Sequence, residues 1–181
     1  MAKELFDRPS KIEYYLRIAE EVSRRSTCYR VNIGTIIVRD DQIIATGYVG
    51  APRKTRDCYE HGFCLRDKLD IPHGHRYELC RSVHSEQNAI INAARAGVSL
   101  FGGDMYIYAQ SLEDGRLIDS VPCFICKKMI VNAGIERVIS SMSDGSVKVF
   151  DVAAWIDQWR AYDILDDRHQ YGADMNSRNG K

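Results

Sequence analysis

The feature that most constrains the fold of this chain is the order of its predicted secondary-structure elements. Two runs rich in β-branched residues, 34–38 and 42–48, are separated by Asp40-Asp41 and predict a β-hairpin. After the hairpin, predicted helices alternate with short predicted strands. Such alternation is typical of an α/β protein in which helices cover both faces of a sheet. The sequence therefore predicts a layered α/β fold.

Several of the predicted helices have recognisable ends. Ser10 and Glu13 form a capping-box pattern, in which a hydroxyl and a carboxylate satisfy free N–H groups at a helix start. Gly97 and Gly134 follow two helical patterns and are typical C-cap residues. Asp151 is positioned to cap a last helix. The predicted helices span about 11–26, 84–96, 123–133 and 152–162, and the later strands span 105–109, 137–139 and 147–150.

Length and charge limit the functional classes. The chain has 181 residues, with 25 basic and 25 acidic side chains, so it lacks the overall basic charge of a bulk nucleic-acid binder. No apolar run is long enough to span a membrane, and the charged N-terminus does not resemble a signal peptide. We therefore expect a cytoplasmic protein with a single domain over residues 1–165 and a polar tail over 166–181.

Two short clusters carry residues suited to chemistry. Cys123 and Cys126 lie three residues apart at a predicted helix start, so their sulfurs can converge on one ion. His84, at the start of another predicted helix, supplies a third ligand and leaves one tetrahedral position open for water, as in catalytic zinc sites. Glu86 lies two residues beyond His84, where it can carry a proton without coordinating the metal. This pattern predicts a catalytic zinc centre.

The combination is more informative than either cluster alone. A lone C-x-x-C is equally typical of half of a structural zinc site, and a lone H-x-E has little meaning. Together and in this order they match the H-x-E…P-C-x-x-C signature of zinc-dependent deaminases, in which the glutamate is the general acid and base. The sequence therefore favours a deaminase.

Further segments point to one branch of that superfamily. They are 25–28 (Arg-Ser-Thr-Cys), 45–48 (Ala-Thr-Gly-Tyr), 50–52 (Gly-Ala-Pro), 84–90 (His-Ser-Glu-Gln-Asn-Ala-Ile) and the stretch 122–135. In these segments the chain resembles the deoxycytidylate (dCMP) deaminases of the cytidine deaminase superfamily, from about Tyr14 to Ile139. The resemblance implies a three-layer α/β/α sandwich around a five-stranded mixed sheet. It also implies a homo-oligomer, usually a hexamer, and control by dCTP and dTTP in many members.

The chain departs from the family pattern at several positions. Ser85 stands where the family commonly has alanine, and Lys54 replaces a frequent glycine. Val49 replaces an asparagine whose amide resembles a contact to a sugar hydroxyl in related deaminases. Residues 111–120 form a longer connection than usual and are predicted to be an exposed loop. These departures bear on the substrate rather than on the zinc chemistry.

Four cysteines remain outside the catalytic set: Cys28, Cys58, Cys64 and Cys80. Together they could form a tetrathiolate zinc site that organises the irregular segment 50–81, since disulfides are rare in a reducing compartment. Many phage and bacterial members of the resembled family carry a second zinc, with ligands near the positions of Cys28 and Cys58. Competing ligands are His61, His73 and His75, and the alternative is that some of the thiols are ordinary buried side chains.

Basic residues suggest two further contacts. Arg53, Lys54 and Arg56 follow the Gly-Ala-Pro segment and could bind a nucleotide phosphate, although such a run is more often a solvated loop. Arg95 lies at the outer end of the predicted zinc helix, where the resembled family has an oligomer contact. The alternative for Arg95 is a surface side chain.

The sequence leads to one main functional hypothesis and two alternatives. The main hypothesis is a zinc-dependent hydrolase that converts dCMP to dUMP and ammonia, with Glu86 moving the protons. One alternative is a related deaminase that acts on another nucleoside, nucleotide or polynucleotide base, which the change at Val49 favours. The other is a zinc-stabilised binding module without turnover, against which the presence of Glu86 argues. We expect no membrane partner, and no nucleic-acid partner because the domain is not basic.

Overall fold

The computed structural model describes residues 8–72 and 75–161, which contain five strands and six helices. The strands are β1 (Val31–Arg39), β2 (Gln42–Tyr48), β3 (Asp104–Ser111), β4 (Arg137–Ser141) and β5 (Val147–Asp151). The helices are α1 (Lys11–Ser23), α2 (Cys58–His61), α3 (Leu65–Lys68), α4 (Ser85–Ala96), α5 (Phe124–Asn132) and α6 (Val152–Ala161). A single 3-10 turn covers Tyr77–Leu79.

The strands form one mixed sheet in the order β2-β1-β3-β4-β5. The β1–β2, β1–β3 and β4–β5 pairs are antiparallel, whereas β3 and β4 are parallel. A parallel pair needs a crossover connection, and here that connection contains α5. The expected five-stranded mixed sheet is confirmed.

Helices cover both faces of this sheet because successive strand residues point to opposite sides. On one face, Ile36 of β1 packs with Tyr15 and Ala19 of α1. On the other, the neighbouring Ile37 belongs to a larger core with Ala89 of α4 and residues of α5 and α6. The two cores are the interfaces of a three-layer α/β/α sandwich, as expected.

Two glycines allow helices to lie directly on the sheet. A Cβ atom at Gly34 of β1 would lie 2.1 Å from the carbonyl oxygen of Ala19 in α1. A Cβ atom at Gly47 of β2 would lie 2.3 Å from the amide nitrogen of Ala89 and from the carbonyl oxygen of Ser85, both in α4. Only glycine fits at these spacings, so Gly47 determines how closely α4 approaches the sheet.

The two ends of the segment between β2 and α4 lie next to each other. Gly50 and Val83 form an isolated antiparallel bridge, with N···O distances of 3.2 and 2.8 Å. Between them the described residues, 51–72 and 75–82, form the short helices α2 and α3 and the 3-10 turn and no longer element. We call residues 51–82 the excursion.

The structure changes some of the predicted boundaries. Helix α1 ends at Ser23, because the amide of Arg24 bonds back to Glu21 and the chain then turns toward β1. Part of the predicted exposed loop 111–120 is not exposed: Leu117 bridges to Gln110 of β3, and Ser120 is buried. The end of the last predicted helix at Tyr162 and the tail 166–181 lie outside the described residues.

None of the helices in the described part of the chain is long and apolar enough to cross a membrane.

Candidate active site

Three potential metal ligands meet where two helices begin. His84 is the N-cap residue of α4 and Cys123 is the N-cap residue of α5, while Cys126 lies in the first turn of α5. The Nδ1 atom of His84 is 3.4 Å from each sulfur. All three ligand atoms lie within 4.8 Å of one another. The sequence expectation that these residues come together is met by the geometry.

The surrounding backbone fixes the position of His84. Its amide donates to the Oε1 atom of Gln87 at 3.1 Å, the side-chain half of a capping box. One turn further, the Nδ2 atom of Asn88 donates to the carbonyl oxygen of Tyr48 at the end of β2, at 2.8 Å. With the close contact at Gly47, these bonds hold the start of α4 against the sheet.

The two thiols of the cluster have opposite pKa shifts. The pKa of Cys123 is lowered to about 4, because Cys126 and His84 hydrogen-bond to its thiolate. The pKa of Cys126 is raised, because it donates to Cys123 and is buried. For His84, burial favours a lower pKa, but the Cys123 bond and the charge of Glu86 outweigh it and the pKa is raised. These opposite shifts favour the thiolate form of Cys123 beside the imidazole of His84.

These features fit a zinc ion. Two sulfurs and one imidazole nitrogen are preferred zinc ligands, and three protein ligands are typical of a catalytic site. A divalent cation between the sulfurs would favour loss of the remaining thiol proton. Among the described residues, no other group of three or more His, Cys, Asp or Glu side chains brings its ligand atoms this close together.

Glu86 is a buried carboxyl group beside the cluster. Its exposed fraction is 6%, and burial raises its pKa. The Oγ atom of Ser85 donates to Oε2 of Glu86 at 3.1 Å, and the Oγ1 atom of Thr35 donates to Ser85 Oγ at 2.8 Å. A carboxyl group with a raised pKa is suited to taking up and returning a proton near neutral pH.

A cavity of about 470 Å³ opens onto this cluster. His84, Glu86 and Cys123 lie at one part of its wall, and the buried side chain of Val49 is also in the wall. The volume falls within the range of small-molecule sites. Val49 therefore lies where its side chain can contact a molecule in the cavity, and its effect on the substrate stays a prediction.

The other four cysteines line the same cavity: Cys28, Cys58, Cys64 and Cys80. Burial raises the pKa of Cys28, and the nearby thiols of Cys80 and Cys58 raise it further. Burial also raises the pKa of Cys58, with added effects from Cys80 and Cys64. All four are free thiols. They are therefore neighbours, although they do not meet within the 4.8 Å that separates the ligands of the first cluster.

The competing histidine ligands are less favourably placed. His61 and His75 are absent from the cavity wall, and the ring of His61 instead packs edge-on to Phe63 at 6.2 Å. His73 lies outside the described residues.

The basic loop that contains Arg53, Lys54 and Arg56 does not contribute to the cavity wall. Arg53 donates to Oδ1 of Asn92 at 2.6 Å, and Arg56 donates to the carbonyl oxygen of Glu60 at 2.8 Å. Neither of them, nor Lys54, is part of the cavity wall. Their phosphate contact remains a prediction that this geometry does not favour. Arg95 is exposed in the last turn of α4, and its oligomer contact also remains a prediction.

Among the cavity-wall residues that sequence reasoning missed, Tyr77 and Arg66 lie near the metal-ligand cluster. Tyr77 packs edge-on against the ring of His84, with the centroids 5.0 Å apart. The guanidinium of Arg66 lies over Tyr77 at 4.8 Å and is itself buried. Both belong to the excursion, where no periodicity indicates which side chains point inward. Nothing in the sequence separates Arg66 from the exposed charged residues around it.

The fold and the ligand cluster together define a protein of the cytidine deaminase-like class. The chain belongs to the family described as "Cytidine and deoxycytidylate deaminase zinc-binding region", which it matches over residues 9–142.

Individual relatives agree with this assignment. The deoxycytidylate deaminase of Schizosaccharomyces pombe is 33% identical over 132 residues, covering 73% of this chain and 37% of its own length. That of Mycobacterium phage D29 is 32% identical and covers 73% of this chain and 94% of its own. The chain thus spans less than half of the yeast relative and nearly all of the phage one.

A solved structure gives the same result. The dCMP deaminase of cyanophage S-TIM5, in complex with dCMP and dUMP, is 26% identical with a TM-score of 0.52. The match covers 74% of this chain and 82% of that structure.

Proposed function

We propose that this protein is a zinc-dependent enzyme that hydrolyses dCMP to dUMP and ammonia. The observation that carries the proposal is the buried Glu86 carboxyl next to the His84, Cys123 and Cys126 cluster, at the wall of a cavity. A structural zinc site has no use for such a carboxyl group. The names of the relatives, and the nucleotides bound to the phage structure, support dCMP as the substrate.

The roles of the residues follow from their chemistry. His84, Cys123 and Cys126 would hold the zinc, which lowers the pKa of a water molecule to about 7. Glu86 would take one proton from the attacking water and give it to N3 of the cytosine ring, and then pass the second proton of that water to the leaving amine, so that a C4 carbonyl and ammonia result. Ser85 keeps Oε2 of Glu86 in place through its hydrogen bond. The thiol-rich ligand set agrees with the expected cytoplasmic, reducing location.

We also propose a second, structural zinc ion held by Cys28, Cys58, Cys64 and Cys80. What supports this is their common place on the cavity wall and their mutual effects on pKa. Binding would draw the four sulfurs closer than they lie now, since zinc–sulfur bonds are about 2.3 Å long. The ion would then stabilise the excursion, which has few long elements of its own.

Assembly and regulation are part of the same proposal. Membership of the family favours a homo-oligomer. The resemblance described above implies that this oligomer is a hexamer and that dCTP and dTTP are its effectors. The exposed Arg95 is the side chain that we expect at a subunit contact. Gel filtration with light scattering, repeated with each triphosphate, tests both points.

A second candidate function is deamination of another nucleoside, nucleotide or polynucleotide base. The apolar Val49 in the cavity wall favours it, because valine cannot hydrogen-bond a sugar hydroxyl. A zinc-stabilised module without turnover is the remaining alternative. Release of ammonia from any substrate would exclude that alternative.

An ammonia-release screen decides among these functions. Zinc-loaded protein is incubated separately with dCMP, CMP, dCTP, cytidine, deoxycytidine, adenosine and guanine compounds. We expect the highest kcat/KM with dCMP. A higher value with another compound supports the second candidate, and release from none of them contradicts a deaminase.

A further inference from the structure

We propose that Arg66 is the residue that binds the 5′-phosphate of the nucleotide. This inference rests on the proposed function and assigns a specificity-determining role to one side chain of the excursion. It replaces the phosphate contact that the sequence suggested for Arg53, Lys54 and Arg56.

Arg66 is a buried charge that has no ion pair in the described part of the chain. Its exposed fraction is 6%, and none of the ion pairs among the described residues includes it. The Nη2 atom donates to the carbonyl oxygen of Pro72 at 2.9 Å, whereas buried Nε has no hydrogen-bond partner within residues 8–72 and 75–161. A buried guanidinium normally requires an anion, and no carboxylate of the described residues forms an ion pair with this one.

The position of Arg66 fits one end of a nucleotide. Arg66 lies in the cavity wall together with His84 and Glu86. The ring of Tyr77 separates it from His84, lying 5.0 Å from the imidazole centroid and 4.8 Å from the guanidinium. In a nucleotide, one sugar ring likewise separates the base from the phosphate. When the cytosine base of a nucleotide lies next to Glu86, the 5′-phosphate of the same nucleotide can therefore lie next to Arg66.

The other arginines of the cavity wall differ from Arg66 in charge pairing or in the partners of their buried atoms. Arg30 forms an ion pair with Asp67, with 3.2 Å between Nη1 and Oδ1. Arg81, like Arg66, donates to a backbone carbonyl oxygen and stacks on an aromatic ring, both of Phe63, but only Arg66 has a buried nitrogen without a hydrogen-bond partner among the described residues. Both are more exposed than Arg66. Arg66 therefore has the strongest need for an anionic ligand and the least competition from water.

The guanidinium of Arg66 and a nucleotide phosphate are chemically well matched. A guanidinium offers planar N–H donors that match phosphate oxygens, and charge-assisted bonds of this kind are stronger than neutral ones. A site built for such a group discriminates against analogues that lack it. Arg66 therefore selects a nucleoside monophosphate over the free nucleoside.

The test compares dCMP with deoxycytidine in the zinc-loaded enzyme. Arg66→Gln should lower kcat/KM for dCMP at least about 30-fold, mainly through KM, and change that for deoxycytidine less than about 3-fold. Binding of the product dUMP, measured by calorimetry, should weaken by a similar factor without any turnover. Arg39→Gln is the matched control, because Arg39 also donates to a backbone carbonyl but lies outside the cavity wall.

Two results would overturn the inference. One is an equal loss with both substrates in Arg66→Gln, which indicates a structural role. The other is a selective loss of dCMP activity in the double variant Arg53→Gln/Arg56→Gln while Arg66→Gln keeps the wild-type activity. That result would assign phosphate binding to the basic loop.

A folding defect and a failure of the proposed function give distinct results. If Arg66→Gln does not fold, Arg66→Lys keeps the charge but loses the planar donors, and a selective loss of dUMP affinity of about 5-fold is then expected. Unchanged affinity in a folded Arg66→Lys protein contradicts the inference. If the wild type binds dUMP but releases no ammonia, the proposed function fails while the phosphate site remains.

Discussion

The hydroxyl of Ser85 donates a hydrogen bond to the Oε2 atom of Glu86 at 3.1 Å, at a position where both side chains are buried. Ser85 in turn accepts a bond of 2.8 Å from Thr35 in β1. A hydroxyl relay therefore connects the centre of the sheet with the candidate general base. An alanine at position 85, common in the resembled family, would interrupt it.

Removal of the Ser85 hydroxyl should cost stability. Ser85→Ala leaves the fully buried Thr35 hydroxyl without its acceptor, and an unsatisfied buried group costs about 1–3 kcal/mol. In the double variant Thr35→Val/Ser85→Ala both partners are gone, so its loss of unfolding free energy should be smaller than the sum of the single losses. Urea unfolding of the four proteins measures this difference. Strictly additive losses would show that the bond between the two hydroxyls is unimportant.

Glu86→Gln should separate metal binding from catalysis. The amide cannot take up the proton, so kcat should fall at least about 100-fold while the zinc content stays unchanged. Glu78→Gln serves as the control, since Glu78 is exposed and pairs with Arg76. Near-normal turnover in zinc-loaded Glu86→Gln protein would refute the mechanism.

Metal analysis should give about two zinc ions per chain. Cys126→Ser should remove one ion and the activity, whereas Cys58→Ser should remove the other and lower the melting temperature. The difference arises because the second ion is expected to organise the excursion rather than take part in catalysis. One ion per chain in the wild type, together with normal melting of Cys58→Ser, would eliminate the second site.

Val49→Asn should increase discrimination at the sugar. The new amide in the cavity wall can hydrogen-bond a hydroxyl, and one such bond changes kcat/KM by roughly 5-fold. The ratio of the kcat/KM values for dCMP and CMP is the measurement. Val49→Thr is a similarly sized polar control. An unchanged ratio in both variants would place the sugar away from position 49.

Gly47→Ala should impair both stability and activity. The added methyl group would meet backbone atoms of α4 at 2.3 Å, and overpacking of this kind costs about 1–3 kcal/mol. Displacement of α4 also moves His84 and Glu86. Gly62→Ala is the control: its φ of 75° is strained for alanine, yet no atom lies within 4 Å of the added carbon. It should lower the melting temperature without changing KM or kcat.

Local signals account for the parts of the fold that sequence reasoning obtained correctly. Asp40 and Asp41 do form the hairpin turn, both with positive φ, and Gly97 and Gly134 do follow their helices in the left-handed conformation. The Ser10 hydroxyl does accept from the amide of Glu13. Each of these features depends on residues within a few positions of one another, so the sequence contains them directly.

The candidate metal cluster was also predictable, for a different reason. His84 and Cys123 are 39 positions apart, but each stands at a helix start, and their residue types are those that zinc requires. Arg66 and Tyr77 offered no such signal. Their inward orientation results from the path of the excursion, which depends on contacts between distant residues.

The bridge between Gly50 and Val83 has an evolutionary consequence. It joins the two ends of the excursion, so changes in the length or composition of the residues between Gly50 and Val83 need not disturb β2 or α4. The frame that performs the chemistry and the segment that carries Arg66 can therefore diverge at different rates. A descendant of this protein could acquire a new preference among substrates through changes in the excursion, while its reaction stays the same.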